Sequence, residues 1–159
     1  MEEAEAHVPY ITDPRETYIR WMPIAALPEA PVIEIEIRSP GEGYAMAILR
    51  YDSSSQFDVG INIRGAQIVE VCEELASRWQ ENQVPLPEIG AGPFPNHTWP
   101  LLEVLESRWL ASLSDTRLLP YDREGHRHFE LVSRGSQASI LTRTEPQAVL
   151  IPAGQGWPD

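Results

Sequence analysis

Strict alternation of apolar and polar residues marks several short segments of this chain. In residues 32–38, Ile33, Ile35 and Ile37 alternate with Glu34 and Glu36, which predicts a half-buried strand with a solvated acidic face. Alternating or short apolar runs bounded by turn residues predict further strands at residues 44–51, 57–64, 126–133, 136–143 and 148–151. The first three strands follow one another closely enough to form a β-meander.

A different spacing, typical of amphipathic helices, occupies the middle of the chain. Between residues 65 and 81 the apolar positions recur at steps of three or four, at Ile68, Cys72, Leu75 and Trp79. Residues 98–113 repeat this spacing at Leu102, Leu105, Trp109 and Leu113. Thr98 is a good N-cap for that segment. The pattern therefore predicts two helices, each with a tryptophan on its buried side.

In the order β-β-β-α-α-β-β-β, these elements predict an α+β fold. We expect a mostly antiparallel sheet of about six strands, covered on one face by the two amphipathic helices. A chain of 159 residues most often forms one domain, which we place at residues 32–152. Residues 1–31 are rich in proline and are interpreted as an N-terminal arm, with a short helix predicted across Pro14–Trp21. Residues 153–159 are expected to be a frayed tail.

Residues 82–97 form the least regular stretch, with four prolines and two glycines. A loop of this length inside a compact domain is unusual and is often functional. It carries apolar residues, Phe94 among them, which either pin the loop to the core or form an exposed contact patch. Phe94 is therefore a candidate partner-binding residue.

The charge balance narrows the range of partners. The net charge is −12, and all twelve basic residues are arginine. The absence of lysine excludes Schiff-base chemistry and the phosphate-binding lysine of a P-loop. Nucleic acid and anionic membranes carry the same sign as this chain, so we expect neither as a partner, whereas a basic protein fits. The sequence has no apolar run of signal-peptide or membrane-span length, and we expect a cytoplasmic location.

One segment carries residues that suit metal chemistry. If residues 126–133 form a strand, His126, His128 and Glu130 share one face, and two imidazoles with a carboxylate are reasonable ligands for Zn²⁺ or Fe²⁺. A solvated strand face accounts for the same three residues without a metal. Ser53, Ser54 and Ser55 lie in a turn that lacks the glycines of a hydrolase nucleophile elbow. No cofactor is expected.

Two hypotheses on function follow. The first is a small, acidic, non-catalytic protein-binding domain, of the kind that immunity proteins and antitoxins use to inhibit a basic bacterial partner. Its contact surface would consist of exposed carboxylates together with Phe94, namely Glu34, Glu36, Glu70, Glu73 and Glu74. The alternative is a metal-dependent enzyme or metal sensor that uses His126, His128 and Glu130. The sequence leaves the oligomeric state open.

Overall fold

The computed structural model describes residues 16–41, 44–73, 99–115, 125–134 and 136–157. In this part of the chain, 59% of the residues lie in strands, and there is one short helix of eight residues. The strands are β1 (Thr17–Arg20), β2 (Val32–Gly41), β3 (Tyr44–Tyr51), β4 (Phe57–Arg64), β5 (Ala66–Glu73), β6 (Leu101–Leu105), β7 (Arg127–Val132), β8 (Ser136–Thr142) and β9 (Gln147–Pro152). The helix, α1, spans Arg108–Asp115 and lies between β6 and β7.

The strands form two antiparallel sheets. One has five strands in the order β1-β6-β7-β8-β5, and the other has four in the order β2-β3-β4-β9. The chain passes from one sheet to the other at Gly65, between β4 and β5, where φ is +75°. Glycine adopts this backbone conformation at no steric cost, which permits the abrupt change of direction. The final strand, β9, returns to the edge of the four-stranded sheet.

The two sheets pack face to face and enclose the main core. Alternate residues of β3 and β4 meet alternate residues of β7 and β8 there: Ala45, Ala47, Leu49, Val59, Ile61, Ile63, Phe129, Leu131, Ala138 and Ile140. Polar contacts also join the layers. The Arg134 N–H donates to the Val32 carbonyl at 2.8 Å, and the Thr142 hydroxyl lies 3.0 Å from the Thr144 carbonyl and 3.3 Å from the Arg64 carbonyl of the other sheet. The alternation seen in the sequence therefore supplies one buried face to each sheet.

The prediction of an α+β fold with two covering helices is wrong, because the described chain is mainly β. Residues 66–73 form strand β5, paired with β8, where the spacing predicts a helix. Ile68 and Glu70 occupy one face of β5, and Val69 and Val71 occupy the other. The same residues therefore also fit the two-residue side-chain period of a strand. β-branched residues favour a strand when a neighbouring strand is present to pair with them.

The second predicted helix is replaced by a strand and a shorter helix. Residues 101–105 form β6, which lies between β1 and β7, and α1 begins only at Arg108. Leu101, Leu102 and Val104 are buried, as expected for a short apolar strand inside a sheet. The helix predicted across Pro14–Trp21 is also wrong within the described residues, because Thr17–Arg20 form β1.

The six strands predicted from alternation are present as β2, β3, β4, β7, β8 and β9. The first three form the expected meander. One residue departs from the pattern in β2, where the register shifts between Val32 and Glu34. Ile33 lies at this bulge and is exposed rather than buried beside Ile35.

The helix of the described chain is too short and too polar to cross a lipid bilayer.

Residues 153–157 fold back over the outer face of the four-stranded sheet. The Arg50 guanidinium donates to the Gln155 carbonyl at 2.6 Å, and the Gly154 N–H donates to the Asp58 carboxylate at 3.1 Å. Arg50 and Asp58 are themselves an ion pair, 2.9 Å apart, and Asp58 is buried. This pair therefore fixes the tail that follows β9.

We predict that Gly60→Ala destabilises the protein through this tail. A Cβ at Gly60 would lie 2.7 Å from Ile151 Cδ1 and 3.0 Å from the Trp157 ring, so one of them must move. Overpacking of this kind costs about 1–3 kcal/mol of the free energy of unfolding, measurable by chemical denaturation. Gly156→Ala is the matched control, because a Cβ there meets nothing within 4 Å. Equal stability of the two variants would contradict the packing of Trp157 on Gly60.

Candidate functional site

Two of the predicted metal residues, His128 and Glu130, lie on the outer face of the five-stranded sheet, where helix α1 contacts His128. His128 and Glu130 are on β7 and are 1% and 0% exposed, while His126 is buried just before the strand begins. A solvated strand face is therefore the wrong explanation for these residues. Trp109 of α1 contacts the His128 ring edge-on, with 5.1 Å between ring centroids, and shields it from water.

A continuous chain of hydrogen bonds joins the helix to the sheet. Ser107 Oγ lies 2.7 Å from His128 Nδ1, and His128 Nε2 lies 2.5 Å from Glu130 Oε1. The Ser139 hydroxyl, on β8, donates to Glu130 Oε2 at 2.9 Å. Ser107 also accepts the Leu110 N–H at 3.0 Å, which makes it the N-cap of α1. Each polar group in this chain has a partner, as burial requires.

With His128 neutral, the hydrogen bonds permit two placements of the protons. In one, the Ser107 hydroxyl donates to Nδ1 of a neutral His128, and Nε2–H donates to an ionised Glu130. In the other, a protonated Glu130 donates to Nε2, and Nδ1–H donates to Ser107. Burial raises the pKa of Glu130 above its ordinary value, the His128 and Ser139 hydrogen bonds oppose that rise, and the charge of Glu70 adds to it. Burial is the largest effect, so this carboxyl holds its proton to higher pH than in water.

A second carboxylate anchors the same helix. The Glu16 side chain, just before β1, accepts the Arg108 N–H at 2.7 Å and the Tyr18 hydroxyl at 3.0 Å. Backbone N–H groups in the first turn of a helix have no intrahelical partner, and the helix dipole favours negative charge there. Glu106, two residues before the helix, has φ = 58°, a left-handed conformation that turns the chain from β6 into α1.

Ser107, His128 and Glu130 are the residue types of a serine hydrolase relay, but their arrangement does not suit catalysis. A nucleophilic serine must reach a substrate and needs backbone donors for the oxyanion. Here Ser107 caps the helix, the ring of His128 is covered by Trp109, and the Arg108 N–H already binds Glu16. The network therefore holds α1 on the sheet.

The same geometry bears on the metal hypothesis. His128 Nε2 and Glu130 Oε1 are hydrogen-bonded to each other, so the proton between them occupies the position that a metal ligated by both atoms would need. Within the described ranges, no group of three or more His, Cys, Asp or Glu side chains is placed to hold a metal ion. The metal hypothesis stays a prediction that rests on the sequence.

Glu34, Glu36 and Glu70, the predicted acidic contact residues whose side chains the structure describes, are not gathered into one patch. Glu34 and Glu36 lie on the outer face of the four-stranded sheet, where Glu36 pairs with Arg50 at 3.1 Å. Glu70 lies on the outer face of the other sheet, opposite Ser139. Glu73 ends β5, while Glu74 and Phe94, with the rest of the 82–97 loop, lie outside the described residues.

A different surface stands out at the edge strand β9. Its sequence, QAVLIP, carries no charge, and Val149 and Leu150 are 42% and 44% exposed. Val149 points to the outer face of the sheet and Leu150 to the inner face, as their registers with Gly60 and Val59 show. Nothing in the sequence distinguished β9 as an edge, because strand order follows from pairing between distant segments.

An apolar pocket of about 430 Å³ opens beside β9. Its walls come from residues 26–30 and from the turn at 54–57, and Leu150 connects it to the edge strand. Phe57, at its rim, is 41% exposed. Glu29 is the charged residue among those that line it. The volume falls within the range of about 300–1,000 Å³ that is typical of ligand clefts.

No protein-family model, curated protein or solved structure matches this chain.

We predict that Glu130→Gln removes a pH dependence of stability. The unfolded chain loses the Glu130 proton near the ordinary pKa of 4.5, whereas burial raises the pKa in the folded protein. The wild type is therefore favoured relative to the variant below pH 4.5 and loses that advantage as the pH rises towards the folded-state pKa. The slope is at most about 1.4 kcal/mol per pH unit, because one proton is involved.

Urea denaturation of both proteins between pH 4 and pH 8 provides the measurement. Glu34→Gln, at an exposed position of β2, is the matched control and should differ from the wild type by a nearly constant amount. A wild-type advantage over Glu130→Gln that grows with pH would mean that the hydrogen bonds outweigh burial, and it would contradict the raised pKa.

Proposed function

We propose that this chain is a non-catalytic protein-binding domain that takes up an extended segment of a basic partner alongside β9. The observation that carries the proposal is the composition of the four edge strands of the described chain. β1 carries Arg20, β2 carries Glu34, Glu36 and Arg38, and β5 carries Glu70 and Glu73. β9 is the edge strand without a charged residue.

Edge charges matter because an edge strand presents unpaired backbone N–H and C=O groups to solvent. Proteins keep foreign strands away from such edges with charged side chains, bulges or proline. β2 has both charges and register shifts. Of these protective features, β9 has only a proline, Pro152, at its last position. The side chains of Val149 and Leu150 on this strand are exposed. A partner strand paired with β9 would use its backbone groups and cover these two side chains.

The charge of the chain favours a basic partner. At −12, the protein attracts a cationic segment over distances comparable to the Debye length, about 10 Å at 0.1 M salt, and raises its association rate. The same charge opposes pairing of β9 with a second copy. An inhibitor of the immunity or antitoxin type, acting in the cytoplasm, is the biological setting that this proposal favours.

The test uses a display library of random twelve-residue peptides selected on the purified protein. We expect enriched peptides to bind the wild type and to bind Val149→Lys roughly tenfold or more weakly, because lysine at the edge blocks strand addition and repels a basic segment. Val71→Lys, at a 55% exposed position of edge strand β5, is the matched control and should change affinity less than about twofold.

Hydrogen exchange supplies a second readout. A peptide that adds a strand should slow exchange at backbone amides of β9 and leave those of β5 unchanged. Peptides that bind Val149→Lys and Val71→Lys equally well, with no slowing along β9, would contradict the proposal.

A further inference from the structure

The pocket beside β9 specifies what the bound segment must carry. Opposite residues on paired strands share a face, so side chains of an added strand alternate between the side of Val149 and the side of Leu150. Leu150 lies on the inner face and forms part of the pocket wall. A side chain placed beside Leu150 on that face would therefore enter the pocket.

We propose that the pocket takes one large apolar side chain of the bound segment while Glu29 pairs with a Lys or Arg close to it in sequence. The inference rests on the proposed function, because the added strand is what brings the side chain to the pocket. The residues that line the pocket include the apolar side chains of Leu27, Pro28, Phe57 and Leu150. An aliphatic or aromatic residue would fill this space and remove Phe57 and Leu150 from water.

Charge complementarity identifies the second requirement. Glu29 is exposed and lies on the wall of the pocket, and the described residues that line this pocket include no basic side chain. A carboxylate at the rim of an apolar pocket favours a cation beside the apolar anchor and disfavours an acidic segment. The occupant is therefore an extended segment of a partner protein in which an apolar residue and a basic residue are near neighbours.

Two kinds of variant test this inference with the library-selected peptides. Ala26→Trp and Gln56→Trp each fill the pocket from an exposed position on its wall, so either can serve if the other folds poorly. We expect each to weaken binding roughly tenfold or more, the effect of losing a buried anchor. Glu29→Lys should weaken binding about threefold or more. Glu106→Lys changes the net charge by the same amount at an exposed position that is not among the residues lining the pocket, and it should change affinity less than about twofold.

The peptide sequences give an independent readout. Enriched peptides should share an apolar residue with a Lys or Arg within three positions, and peptides in which that residue is alanine should lose binding to the wild type. Acidic consensus sequences, or binding unchanged by both pocket-filling variants, would overturn the inference.

The outcomes also separate this inference from the proposed function. If Val149→Lys abolishes binding while the pocket variants do not, strand addition stands and the pocket inference is wrong. If the pocket variants abolish binding while Val149→Lys does not, the proposed function is wrong, and this inference falls with it.

Sedimentation velocity tests whether a second copy of this chain occupies β9 instead. A dimer of the free protein that Val149→Lys dissociates would place a second copy on β9 and overturn both proposals.

Discussion

Face-to-face burial of the two sheets is the interaction on which the rest of the structure depends. Each sheet contributes one apolar face, and together these faces form a continuous core from β3 and β4 to β7 and β8. Apolar burial of this kind is the dominant favourable term in folding. It also fixes the register of every strand in the sandwich, because a slip of one residue would move the core face into solvent.

In a sandwich of this kind, each sheet also has an outer face. Helix α1 covers part of the outer face of the five-stranded sheet, so the polar side chains beneath the helix must form hydrogen bonds within the protein rather than with water. A continuous series of hydrogen bonds provides these partners: Ser107 bonds to His128, and His128 bonds to Glu130. The Ser139 hydroxyl donates to the second carboxylate oxygen of Glu130. A partly satisfied network here would destabilise the protein, because a lone buried polar group loses the full free energy of its hydration. The polar cluster thus follows from the position of the helix.

The sequence predicts an element of this fold correctly where the pattern that identifies the element lies within a few neighbouring residues. Alternation at Ile35 and Ile37 identifies β2, because period two is visible within a few residues. The segment that contains Ile68, Val69 and Val71 satisfies both a helical and a strand spacing, and only pairing with β8 decides between them. That pairing joins residues far apart in the chain, so no window around the segment contains it.

The candidate sites show the same limit. His128 and Glu130 were predicted to share a face, which the structure bears out, but Trp109 covers the His128 ring, and the sequence gives no sign of that contact. Ser107 lies inside the helix predicted at residues 98–113, and its role as a cap depends on where α1 begins. The β9 edge and its pocket depend on three separate segments coming together, so neither was predictable from any one of them.

The unprotected edge and the acidic surface are best understood together. An apolar edge strand without charges is normally a liability, because identical copies can pair through it. In this protein each copy carries −12, and bringing two such surfaces together costs electrostatic free energy that a basic segment would instead gain. In the proposed function, net charge would therefore do for β9 what charged residues in the strand do for β2 and β5, and it would leave the edge open to a partner of the opposite sign. Such protection would act at a distance and discriminate by charge, whereas charges within the strand would exclude every partner alike.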